Sequence, residues 1–116
     1  LLATNETNPQ LFGDKMSTNE RIEQRVANFL VQAIVDHYRL EIRMYRDSGT
    51  RVIEPHVLYD NGSEPYLACN QVSGFSTSGT LGWKTIRVRL IHTIYILPYE
   101  FEPLPYTKPD GLMIGV

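Results

Sequence analysis

A chain of 116 residues, 42% hydrophobic and 21% charged, has the size and balance of one domain around a single core, not of a disordered or multi-domain protein. Its formal net charge of -2 supplies no overall field toward nucleic acid or an anionic membrane, although a local basic patch stays open. The lone Cys69 excludes an intramolecular disulfide, no apolar run is long enough for a bilayer, and the opening Leu-Leu-Ala lacks the flanks of a signal peptide; the expectation is a cytoplasmic protein with no membrane role.

Residues 1–16, rich in Asn and Thr and without a clean period, read as a loose leader held at most by Leu11 and Phe12. Met16 is an equal candidate for the natural start, and the sequence leaves open whether the chain is part of a larger regulator. Next, "STNE" offers a capping box, with Ser17 accepting the Glu20 amide and Glu20 reaching back to Ser17. Apolar residues at Ile22, Val26, Phe29, Leu30, Ala33, Ile34 and Tyr38 make one stripe on a helix of about six turns.

Strand patterns follow. In "RLEIRMYR", Leu40, Ile42 and Met44 alternate with Glu41, Arg43 and Tyr45. In "RVIEPHVLY", the alternation sets Ile53, Val57 and Tyr59 against Glu54, His56 and Leu58, and Pro55 predicts an edge or a bulge. "DNGS" predicts a hairpin with a type I′ turn at Asn61 and Gly62. "EPYLACN" returns with Leu67 and Cys69 inward. "SGFSTSGTLG" is a Ser/Gly-rich loop. "WKTIRVRLI" places Ile86, Val88 and Leu90 inward and Trp83, Arg87 and Arg89 outward. "HTIYILPYEF" is a last strand stopped by Pro98, and the Pro-rich stretch beyond Phe101 is expected to be extended and weakly packed. The expected fold is mainly β with an N-terminal α-helix, as a small five-stranded antiparallel barrel. Its divisions are a leader over 1–16, a helix-plus-barrel domain over 17–103 and an extended tail over 104–116.

Residues 51–74, "RVIEPHVLYDNGSEPYLACNQVSG", followed by "GWKTIRVRLIHTIYIL" over 82–97, resemble the WYL domain. Glu54, Pro55 and His56 match its first strand, and Tyr66 and Leu67 its second, with Pro65 where the family has tryptophan. Ile86, Arg87 and Val88 match the third, after which Arg89 replaces an acid and Leu90 an arginine; Ile91 closes the match. Over residues 33–101, the resemblance implies an SH3-like or Sm-like barrel that senses ligands in transcription regulation beside a DNA-binding domain. No helix-turn-helix pattern occurs in this chain, so the expectation is a free-standing sensor or one piece of a larger assembly.

The resemblance marks Arg87 as a ligand contact. Arg89, one residue away on the same face, would add a second forked donor for an anion; the plainer reading is a solvated outer face. His56 is read as a donor or a group titrating near neutrality, or as a satisfied surface histidine. Tyr66 and Trp83 are read as stacking groups, or as aromatics covering a barrel rim. The expected ligand is a nucleotide or a short nucleic acid. No metal, cofactor or catalytic role is expected: the histidines and Cys69 lack ligand spacing, and no nucleophile or phosphate-loop motif occurs. The alternative is a structural interaction module that pairs with itself, as a homodimer, or with a partner through a strand edge or the helix.

Overall fold

A computed structural model of the chain describes residues 18–116, with helix side chains from residue 24 onward. The leader, the Ser17 cap and the Ile22 side chain fall outside the described residues. Helix α1 spans Thr18–Asp36. Its stripe of Val26, Phe29, Leu30, Ala33 and Ile34 is buried, each such side chain contributing about 1.5–3 kcal/mol where it is large and fully covered. The stripe does not reach Tyr38 within the helix. His37 turns to φ 60, a left-handed helix end more often taken by glycine, and Tyr38 opens the first strand.

Six strands follow: β1 Tyr38–Met44, β2 Arg51–Asp60, β3 Pro65–Gly74, β4 Gly82–Arg87, β5 Ile91–Glu100 and β6 Leu112–Gly115. They form one antiparallel sheet in the order β4-β3-β2-β1-β5. β2 pairs with β3 along its length, and its opposite edge is shared, by β1 over 51–53 and by β6 over 57–59. One face, carrying Leu40, Ile42, Ile53, Leu58, Leu67, Cys69 and Ile86, packs with the helix stripe into the core. Among the described residues no helix is long and apolar enough to cross a membrane.

Several expectations are corrected by this sheet. β2 lies inside the sheet, so of the two expectations at Pro55 the edge fails and the bulge holds, between Pro55 and Val57, where the ladder skips a residue. The bulge reverses the alternation, so Leu58 joins the core cluster, while Val57 is buried outside it and Tyr59 is half-buried. The β2–β3 turn is a four-residue loop: Gly62 alone takes positive φ there, and the Asn61 Oδ1 accepts the amides of Ser63 and Glu64. The strand through Trp83 stops at Arg87, and a 3₁₀ turn over Val88–Leu90 intervenes, exposing Leu90 and burying Ile91.

Pro98 does not stop β5 either. Leu40 pairs with Ile96 and Tyr38 with Glu100, so the extra residues loop out around Pro98 on a terminal strand that tolerates a missing amide. Beyond Phe101 the chain is no loose tail. It returns to the sheet and adds a sixth strand to the five expected.

A candidate anion-binding face

The sheet face turned away from α1 is built by register. Tyr59 of β2 lies opposite Tyr66 of β3, which lies opposite Arg87 of β4; Glu54, Asn70 and Trp83 form a second row across the same strands. Trp83 and Arg87, four residues apart on one strand, are separated by about 13 Å of its length. The predicted site residues therefore share a face but fall into two clusters.

In the first, Arg89 donates from Nε to the Glu64 Oε1 at 2.8 Å, and the Arg87 Nε lies 3.8 Å from the Glu64 Oε2. Both arginine side chains are about half exposed. Arg89 sits in the 3₁₀ turn instead of continuing the strand, yet it still reaches the carboxylate beside Arg87. The Tyr59 and Tyr66 rings lie 5.8 Å apart at a tilt. Two guanidinium groups thus share one carboxylate next to an aromatic pair. Exposed ion pairs of this kind contribute no more than about 1 kcal/mol, so a stronger anion can displace Glu64.

The second cluster surrounds His56, which the alternation expects on an open face and which is instead fully buried. It stands at the bulge, where Nδ1 donates to the Glu54 carbonyl at 2.8 Å and Nε2 accepts the Leu104 amide at 2.9 Å. Trp83 meets its ring edge-on at 4.8 Å, and Phe101 lies 5.0 Å away. Burial, the largest influence, lowers the His56 pKa from its ordinary value; the Glu54 carbonyl and carboxylate raise it and His37 lowers it. Trp83 keeps 47% of its surface exposed, so a stacking face stays open.

Glu54 is itself nearly buried, holding Arg39 at 3.0 Å through Oε2 and Asn70 at 3.0 Å through Oε1. In the Ser/Gly-rich loop, the Lys84 ammonium donates to the Ser76 and Ser78 hydroxyls and the Thr80 carbonyl, at 3.1, 3.0 and 2.8 Å. Those hydroxyls are committed to a lysine that comes from the following strand. Burial pushes the Cys69 thiol up to about 12, with Arg51 and Lys84 pulling it down by less, so it stays protonated in the core. Among the described residues no group of three His, Cys, Asp or Glu is placed to hold a metal ion.

Residue patterns did not reveal Glu64 or Tyr59 as members of the face. Glu64 lies 25 positions from Arg89, beyond any local periodicity; the hairpin register, once known, brings it there. Compared with known proteins, no family model, curated protein or solved structure matches the chain at a significant level.

Proposed function

We propose that the chain is a non-catalytic regulatory domain of the WYL type, its strands curling into a small SH3-like barrel, that binds an anionic ligand. Arg87 and Arg89 take the charged group, and Tyr66, backed by Tyr59, offers a ring to stack against. Trp83 extends the stacking surface along β4. A nucleotide or a short single-stranded nucleic acid combines those two chemistries. The reading places the domain in the cytoplasm, beside a DNA-binding partner. The observation that carries it is the convergence of two half-exposed arginines on one weakly held carboxylate beside paired tyrosines. His56 supports the face from beneath and does not touch the ligand.

The test is thermal shift and direct titration with nucleotides and oligonucleotides at low and high salt. Ligands of the folded state raise its stability, and an electrostatic contact weakens steeply with salt. Arg87→Lys keeps the charge but loses the fork, and weakens binding by about ten-fold, on the order of 1–2 kcal/mol. Unchanged binding in both Arg87→Lys and Arg87→Ala moves the site elsewhere.

A second reading has its own observation. β5 ends the strand order with Tyr95 and Tyr99 exposed, a surface suited to pairing with a second copy. Light scattering that finds a concentration-dependent dimer, with no anion affinity in the titration, favours this interaction module.

A further inference from the structure

Residues 101–116 form a strap that leaves β5, passes over the His56 bulge and ends as β6 on β2. β6 holds its far end through the ladder to β2 and through Ile114 and Val116, which pack on the core; the other attachments are single hydrogen bonds. Phe101 donates its amide to the His37 carbonyl at 2.9 Å, Gly111 accepts the Asp60 amide at 3.0 Å, and Val116 donates to the His56 carbonyl at 2.9 Å. Within the strap, Tyr106 donates its hydroxyl to the Val116 carbonyl at 3.1 Å. Midway, the Leu104 amide meets the His56 Nε2. Pro103 and Pro105 flank Leu104 and have no amide proton, so Leu104 supplies the donor for that triplet while its neighbours hold the backbone extended.

The two ring bonds of His56 demand one protonation state. A carbonyl oxygen accepts only, so the Nδ1 facing Glu54 carries a proton. A backbone amide donates only, so the Nε2 facing Leu104 is bare. We infer that His56 is a proton-operated latch: a proton added at Nε2 sets one N–H against another and releases the strap from Leu104 onward. Release uncovers the buried ring of His56, which Trp83 touches, and the edge of β2 over 57–59.

The groups around the ring agree with this. On β2, the Glu54 carboxylate is engaged by Arg39 of β1 and Asn70 of β3. Cys69 of β3 is a neutral thiol. β4 presents the uncharged Trp83 ring, with the Lys84 ammonium turned to its loop. The helix end brings His37, which faces the same Phe101 ring from 5.8 Å, and the strap brings Tyr106, 6.3 Å from His56 between ring centroids. The folded-state pKa is lowered, so the unfolded chain binds the proton at higher pH. The stabilisation from the docked strap is then complete above about pH 6.5 and is lost as the pH falls through the lower folded value.

Trp83 is the single tryptophan, so its emission reports on the ring it touches. The experiment follows that emission and the Val116 and Leu104 amide protection on the full chain, from about pH 8 to about pH 5. The expected result is a one-proton transition in both, with Val116 protection falling at least about ten-fold while β1 and α1 amides keep theirs. Leu104→Pro deletes the donor and leaves His56 intact; Val116 protection is then low at every pH. His56→Gln accepts the Leu104 amide without titrating and abolishes the transition. The latch is overturned by Val116 protection that does not change with pH in the parent, that falls equally in Leu104→Pro, or that is lost only together with β1.

Discussion

Arg51 shows what a single charged residue does inside this fold. It is buried, and its guanidinium donates from Nε and Nη2 to the two oxygens of Asp47 at 2.7 and 3.0 Å. Asp47 also accepts the Met44 amide at 3.3 Å, and the Gln71 amide group donates to the Ser73 and Phe75 carbonyls. The network ties the loop after β1 to the loop after β3. Asp47→Ala leaves a buried cation with only the long Gln71 Oε1 contact at 3.5 Å and the Phe75 ring beside it, and should cost roughly 3–5 kcal/mol, read as a fall in the denaturant midpoint with an unchanged slope. A midpoint within error of the parent would mean that Arg51 finds water or another partner. At this scale the alternating strands were legible: Leu40, Ile42, Met44, Leu67 and Cys69 are buried as their period predicts. His56 was not, because a bulge beside a proline carries no residue pattern that says which face the skipped position takes.

The same contrast holds for elements. Helix α1 follows from its three-four spacing, and β1 to β3 follow from alternation between turn residues. What escaped were breaks in parity and returns of the chain. The 3₁₀ turn at Val88–Leu90 interrupts a run that alternates without a gap, and tertiary packing of Ile91 overrides the pattern that placed Leu90 inside. β6 is four residues long and stable only against the edge of β2 that β1 leaves open; no local signal can announce a pairing with strand residues more than fifty positions away. The docking of α1 is testable directly. Phe29 is buried in the core cluster, so Phe29→Asp places an unpaired charge there and costs several kcal/mol, on the order of 2–5. Thermal melting checks it, and a variant that melts like the parent would show that the helix is not docked.

At the scale of the molecule, one sheet face is closed by the helix and the other is shared between a strap and an open row of aromatic and basic side chains. The net charge of -2 makes the basic pair a local feature, so the anion binding proposed for it would rest on short-range contacts more than on long-range attraction. The members Arg87, Tyr66 and Trp83 were readable as outward residues of their strands, whereas their neutralising partner was not. That partner provides the sharpest measurement. Glu64→Gln removes the carboxylate that occupies both guanidinium groups and preserves the shape of the side chain. Titration of the parent and of Glu64→Gln with the same nucleotide or oligonucleotide, at one fixed salt concentration, should give binding up to about five-fold tighter in the variant, as a lost competitor worth up to about 1 kcal/mol requires. Binding that is unchanged or weaker in Glu64→Gln, or absent from both proteins, would contradict an anion site at Arg87 and Arg89.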